Sequence, residues 1–256
     1  MIEGYIEKSK RKKILLLSDD IRMHSGVATM SREIVLGTAH KYNWFQLGAA
    51  LKHPEIGKVI DISEDVNKNI HIPDSDIKVM PFEGYGNAMI VRELLKREKP
   101  DAIFIFTDPR YWTWLFEIER EVRSQIPICW LNIWDDYPAP MYNRNFYNSV
   151  DCLMGISKQT VNINKLVLGD DAKDKVIKYV PHGINDKHFF PIKPDHILFP
   201  KLQEFKKATI PNEDIEFLAF FNSRNIHRKR PGDVILSFKL FCDSIGEAAA
   251  KKVGLI

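Results

Sequence analysis

ILLLSDDIRMHSGVATMSREIVL, residues 14–36, is the stretch whose reading decides the fold. Residues 14–17 form a short apolar run of the kind a strand buried on both faces shows, and Ser18, Asp19 and Asp20 end it. Residues 21–26 read as a loop closing on Ser25-Gly26, and residues 27–36 as a helix. Strand, glycine loop and helix near the start of a chain point to a nucleotide-binding α/β unit. Only Gly26 stands where the G-x-G-x-x-G fingerprint would need three glycines, so the loop is not that motif. Gly26 either lets a backbone approach a ligand closely or simply makes a helix-entry turn.

The same rhythm continues outward. Strands are expected at 59–62, 77–80, 102–106, 127–133, 152–156 and 176–180, with helices at 85–99, 111–125 and 157–167. The helix at 85–99 is expected to turn Met89, Ile90, Leu94 and Leu95 inward. Alternation through 13–180 argues for a Rossmann-like α/β fold, a parallel sheet with helices on both faces and a ligand crevice beyond the strands' carboxyl ends. Two polar loops follow strands there, Thr107-Asp108-Pro109-Arg110 and Trp134-Asp135-Asp136-Tyr137-Pro138. Asp135 is placed either to orient or deprotonate a hydroxyl, or to cap a turn. Tyr111, Trp112, Trp114 and Trp134 offer an aromatic platform, with core packing the expectation for at least half of them.

Residues 181–211 carry five prolines and one short expected helix at 202–207, which reads as a linker. Strand, loop and helix then restart in FLAFFNSRNIHRKRP, residues 217–231. A buried parallel strand at 217–221 gives way to the turn residues Asn222-Ser223, a basic loop holding Arg224 and Lys229, and Pro231 at a helix start. Val234, Ile235, Phe238, Phe241 and Ile245 form one stripe on the helix at 232–245. Loop cations beside a helix N-terminus suit a bound phosphate, and the plain alternative is a solvated basic loop. The expected organisation is 1–191 as a first domain, 192–214 as a linker and 215–256 as the truncated start of a second Rossmann-like domain. One helix with a strand and a half cannot cover its own apolar faces, so 194–256 should be mobile or held against another chain or the missing remainder of the protein.

Composition bounds the rest. The 256 residues are 45% hydrophobic and 11% aromatic, enough for a sizeable core. A formal net charge of +3 gives no global field for nucleic acid or anionic lipid. Lys8 and the run from Lys10 to Lys13 make a basic tail, read as a solvated lead-in to the first strand rather than a phosphate-binding arm. Cys129, Cys152 and Cys242, odd in number and widely spaced, fit reduced thiols in the cytoplasm. Residues 1–13 lack the apolar core of a signal peptide, and no apolar run approaches the roughly 20 residues of a membrane span. The acidic pairs Asp19-Asp20, Asp135-Asp136 and Asp170-Asp171 lack convergent partners, so no metal is expected.

With these residues in place, the chain resembles retaining, sugar-nucleotide-dependent glycosyltransferases of the GT-B fold, the group 1 or family 4 type. Ser25-Gly26-Val27 is similar to that family's glycine loop, and Pro181-His182-Gly183-Ile184-Asn185 with Phe189 and Pro191 to its hinge. Asn222-Ser223-Arg224 with Lys229-Arg230-Pro231 is similar to the start of its donor domain, where a Gly-Arg pair and then Lys-Gly hold the donor diphosphate. The resemblance implies transfer of a sugar from a nucleotide-diphosphate donor to a hydroxyl acceptor with retention, by the complete protein and without metal or other cofactor. It implies Gly26, Arg224 and Lys229 at the donor, Asp135 in the acceptor loop, and His182 and Gly183 in the hinge. His182 there is more simply a structural hydrogen-bonding residue. Trp134 stands where many members have a histidine that contacts the donor sugar, Ser223 replaces the glycine before the arginine, and Gly232 lies two positions beyond the usual glycine. The carboxylate motif that grips the donor's sugar is absent. Two other readings stand beside this one: a non-catalytic scaffold or partner subunit of the same fold, and a nucleic-acid-binding protein using Lys8–Lys13 and Arg224–Arg230.

Overall fold

A computed structural model describes residues 3–49, 52–210, 212 and 214–256. Met1 and Ile2 of the basic tail, and Pro211 and Glu213 of the expected linker, lie outside the described residues. The chain divides into two compact units, Met1–Gly183 and Ile184–Ile256.

The first unit runs β1 (Lys12–Asp19), α1 (Gly26–Thr38), β2 (Tyr42–Ala49), β3 (Ile60–Asp61), α2 (Ser63–Ile70), β4 (Ile77–Pro81), α3 (Ala88–Glu98) and β5 (Ala102–Phe106). It continues with α4 (Thr113–Glu117), α5 (Glu119–Arg123), β6 (Ile128–Asn132), α6 (Arg144–Asn148), β7 (Cys152–Gly155), α7 (Lys158–Leu168) and β8 (Val176–Tyr179). Its sheet has eight strands among the described residues, in the order β3-β4-β2-β1-β5-β6-β7-β8, parallel throughout except for β3 against β4. β1 is central and buried on both sides, as its unbroken leucines require. Leu15 and Leu17 enter a core with Val91, Leu94, Leu115, Ile163 and Val167, while Leu16 enters a second with Val35, Trp44, Val66 and Val79. Helices therefore lie on both faces, as expected. Chain direction along the sheet reverses at β1: β2 follows on one side and β5 on the other, so a crevice opens over the carboxyl ends of β1 and β5.

Capping side chains fix where helices start. Ser25 accepts from the Ala28 N–H at 2.9 Å, Asn87 from Ile90 at 3.1 Å, and Ser157 from Thr160 at 2.9 Å. Several expectations are corrected. β2 and α2 lie in a region where the sequence pattern predicts no element. α3 buries Val91 and Leu94, with Ile90 and Leu95 half-buried, and turns Met89 outward at 75% exposure. The single helix expected at 111–125 is a 3₁₀ turn (Pro109–Trp112), α4 and α5, broken at Ile118 where φ is −107° and ψ 16°. The basic tail is not freely solvated. Arg11 is buried on Asp74 at 2.6 Å, and Lys8, Lys12 and Lys13 pair with Asp76, Asp101 and Glu98 at 3.6, 2.7 and 3.4 Å.

The second unit holds α8 (Phe199–Thr209), β9 (Phe217–Ala219), α9 (Pro231–Ile245), α10 (Glu247–Ala250) and β10 (Val253–Leu255). α8 is longer than the short helix expected at 202–207. β9 and β10 pair in parallel, Phe217 opposite Val253, which makes a β-α-β unit. Pro231 takes the first helical position of α9, as predicted. The strand at 217–221 is not buried: none of the described residues of 184–256 is, because two strands under one helix have no interior. On α9 the half-buried line is Val234, Phe238, Cys242 and Ile245, whereas Ile235 and Phe241, expected on the same stripe, face out.

Candidate functional site

The parallel sheet brings the loops after β1, β5, β6 and β8 to one edge. Asp19, the last residue of β1, is 8% exposed. Its carboxylate accepts from Ser25 Oγ at 2.8 Å on one oxygen and Tyr85 OH at 3.1 Å on the other. Among the described residues it has no cationic partner. Burial, then the neighbouring Asp19 charge, pushes the Tyr85 phenol well above its ordinary range, so Tyr85 remains a donor. Tyr111 lies flat on Tyr85 with centroids 4.0 Å apart, and Trp112 stands edge-on to it at 5.4 Å.

Asp20 is different. It is fully buried and holds Arg22 through two side-chain bonds of 2.8 and 2.6 Å and the Arg22 N–H at 2.9 Å. Gln46, buried in β2, locks the same corner by accepting from the Ile21 N–H at 3.0 Å and donating to the Asp19 carbonyl at 2.8 Å. Asp20 is therefore structural, and Asp19 is the carboxylate presented at the crevice. Sequence reasoning placed no role on Asp19 or Tyr85.

Gly26 is the first residue of α1, exposed, and a Cβ built there would meet nothing within 4 Å. Neither packing nor an unusual backbone angle demands glycine at 26, and the open space over the helix N-terminus remains available. His182 follows β8 and sets its ring edge-on against Phe106 at 5.6 Å, at the carboxyl end of β5; desolvation there lowers its pKa. Gly183 is exposed with open space around it.

Asp135 is exposed beyond β6, its carbonyl accepting from Gln159 Nε2 at 2.8 Å. The loop is anchored from below by Asn132, which accepts from the Trp134 N–H at 3.1 Å and donates to Asn164 at 2.6 Å and Tyr147 at 3.0 Å. Trp134 donates its indole N–H to the Asp136 carbonyl at 3.1 Å, so its one donor is turned to its own loop. Of the aromatic platform, Trp112 is buried, Trp114 and Trp134 pack against the core, and Tyr111 is exposed.

In the second unit, Arg224 and Lys229 are exposed on the loop before α9, and among the described residues neither has an acidic partner. Arg230 is held by Asp233 at 2.7 Å. Arg230 also takes φ +47°, the left-handed region that favours glycine, directly after Lys229. The backbone thus makes a glycine-type turn where the resemblance expects glycine, with arginine in its place. A cavity of about 290 Å³ lies beside this turn, lined by Asn225, Ile226, His227, Arg230, Pro231 and Asp233. Among the described residues no group of three or more His, Cys, Asp or Glu is placed to hold a metal ion, and no helix is long and apolar enough to cross a membrane.

No family model matches the sequence, and no curated protein matches it. Among solved structures the chain is similar to an apo structure of OtsA, with a TM-score of 0.59, 11% identity, and 95% of this chain over 64% of that one. It is also similar to a putative UDP-N-acetylglucosamine 2-epimerase from Listeria monocytogenes, with a TM-score of 0.49, 13% identity, and 96% of this chain over 62% of that one. A third is UGT71G1 of Medicago truncatula complexed with UDP-glucose, with a TM-score of 0.41, 11% identity, and 83% of this chain over 60% of that one. The chain thus spans less than two thirds of each. The likeness to OtsA shows the GT-B-type Rossmann-like fold, and at such identity the fold is what it shows.

Proposed function

We propose that this chain supplies the acceptor side and the start of the donor side of a glycosyltransferase, which moves a sugar from a nucleotide-diphosphate donor to a hydroxyl acceptor with retention. In this reading 1–191 is the acceptor-side domain, 192–214 the linker and 215–256 the opening of the donor-binding domain. The protein is cytoplasmic, in keeping with its three free cysteines. The observation that carries the reading is the pair Arg224 and Lys229, two exposed cations without acidic partners among the described residues, on a loop that ends at the N-terminus of α9. Negative charge grows on the leaving diphosphate as the glycosidic bond breaks. A guanidinium fork and an ammonium aimed at it stabilise that charge. The leaving phosphate then helps take the proton from the acceptor hydroxyl. Asp135 and Asp19 both stand at the carboxyl edge of the first sheet, where an acceptor hydroxyl enters; Gly26 leaves room for the ligand over α1. No cofactor beyond the donor is involved. The exposed apolar residues of α9 are covered by the remainder of the donor domain or by another chain.

A second reading, a non-catalytic scaffold of the same fold, is favoured by one observation. The Trp134 N–H is engaged within its own loop, so the position offers no polar contact to a donor sugar.

Calorimetric titration of the complete protein with UDP, ADP and GDP tests the donor assignment. At least one should bind, and Arg224→Ala and Lys229→Ala should each weaken it about 10- to 150-fold, the effect of losing roughly 1.5–3 kcal/mol of charge-assisted hydrogen bonding. Arg228→Ala, the control, should change little, and Asp135→Asn should slow transfer with nucleotide affinity intact. Unchanged affinity in both cation variants, or no binding of any of the three nucleotides, removes the donor assignment. Binding without donor turnover by the protein selects the scaffold reading.

A further inference from the structure

Cys129 and Cys152 are direct partners in the parallel register of β6 and β7. Neighbours in register point to the same face of a sheet, and strands about 4.8 Å apart put their Cα atoms within the range that a disulfide spans. They belong to a row that runs Phe104, Cys129, Cys152, Val176 across β5 to β8. Along it the cover thins: the first three are half-buried and Val176 is 51% exposed. The pair is therefore within reach of a small solute from the β8 side. It lies at the amino ends of its strands, away from the carboxyl-edge crevice, and none of the roles described above uses it.

We propose that Cys129 and Cys152 are a redox-active dithiol site whose co-reactant is a peroxide, and that they close reversibly into a disulfide across β6 and β7. The roles of the two sulfurs differ. Interaction with Cys129 and then the Lys178 charge lower the Cys152 thiol against burial and Asp151, while interaction with Cys152 and burial push Cys129 up. Cys152 is thus the sulfur that ionises first, and Cys129 the resolving partner. In the first step the Cys152 thiolate attacks one oxygen of hydrogen peroxide, the O–O bond breaks, and a sulfenic acid forms while the other oxygen leaves as hydroxide, which takes up the proton the thiol gave up and becomes water. Cys129 then attacks the sulfenic sulfur, its proton leaves with the hydroxyl as a second water, and the S–S bond forms. Two thiols are oxidised and one peroxide is reduced to two waters. Reduced thiols or thioredoxin-type dithiols reopen the bond, which fits the transient, sensing disulfides of reducing compartments.

The test uses the full chain and hydrogen peroxide. After brief exposure and alkylation with N-ethylmaleimide under denaturing conditions, intact mass should show loss of about 2 Da and one alkylated cysteine, mapped to Cys242. Dithiothreitol should restore three alkylated cysteines. Cys152→Ser should abolish the loss, and Cys129→Ser should leave Cys152 as a sulfenic acid that dimedone traps. Three alkylated cysteines after peroxide, oxidation arriving first at Cys242, or disulfides formed only between chains would each overturn the proposal. The wild-type mass and its reversal need no variant to fold.

Discussion

Replacing Gly48 with alanine should destabilise the first unit by about 1–3 kcal/mol, through a clash that the sequence of β2 does not show. The added Cβ would lie 2.5 Å from Oδ2 of Asp20 and 2.8 Å from its Cγ, well inside contact distance. A flexible side chain would swing aside, but Asp20 is fully buried and three Arg22 donors hold its carboxylate at 2.6–2.9 Å. Two outcomes compete. Forcing the strands apart with the ion pair intact is overpacking, at about 1–3 kcal/mol. Expelling the carboxylate breaks a buried charge pair, at about 3–5 kcal/mol. The molecule takes the cheaper route, which sets the expected figure. Urea unfolding followed by fluorescence measures it, and Asp20→Ala in the Gly48→Ala background supplies the control. Removing the carboxylate takes away the two shortest contacts and leaves only the Cβ of residue 20, 2.9 Å away, so the two changes should be non-additive by at least about 1 kcal/mol. Gly48→Ala within about 0.5 kcal/mol of wild type, or strict additivity with Asp20→Ala, would refute the clash.

Two further outcomes follow from particular contacts. The Tyr85 phenol is raised by burial and then by Asp19, so the folded state keeps a proton that the unfolded chain loses above about pH 10; stability is fully present below that pH and falls as pH rises through it. Tyr85→Phe should flatten this alkaline decline between pH 9 and 11 in urea titrations, and an unchanged slope would show that Tyr85 does not couple to it. Limited proteolysis should cut first within 184–256, where none of the described residues is buried, and leave a resistant core from the first unit. A monomer that resists cleavage throughout 184–256 would contradict the reading of an uncovered β-α-β unit.

The fold was legible where burial is two-sided. Leu15, Leu16 and Leu17 sit on both faces of β1, so an unbroken apolar run was a true signal. β2 was not legible because Gln46 interrupts it, yet that glutamine is buried and bonds the Asp19 carbonyl and Ile21 N–H as a strand neighbour would. Periodicity treats such a residue as surface. On α3 the apolar positions outnumber those the core can take, and the helix is rotated to bury Val91 and leave Met89 outside. The run at 217–221 reads as buried because five apolar residues in a row usually are; whether anything covers them is not a property of the run. The basic tail misled for the complementary reason, since its acidic partners, Asp74, Asp76, Glu98 and Asp101, lie more than sixty residues away in sequence.

The site was legible in its loops and illegible in its carboxylates. Asp19 and Asp20 stand side by side in the sequence, and nothing in the two residues taken alone separates them. Four neighbours do. Gly48 leaves the space on β2 that admits one carboxylate, Arg22 closes over it, and Ser25 with Tyr85 takes the other. Arg22 and Ser25 lie within six positions and form a local signal: an arginine two residues after an aspartate can fold back on it, and a serine before a glycine-started helix is already committed to its cap. Arg110 repeats the first device on Asp108 across the crevice, with bonds of 2.9 and 2.7 Å. Each of those aspartates is neutralised by the arginine that follows it, which takes Asp20 and Asp108 out of the chemistry. What remains at the carboxyl edges of β1 and β6 includes Asp19, aimed by two hydroxyl donors, Asp135, whose carbonyl accepts from Gln159, and Asp136, whose carboxylate accepts the Tyr137 N–H. If one carboxylate positions an acceptor hydroxyl, the preorganised one is Asp19, because its orientation is fixed before any ligand arrives.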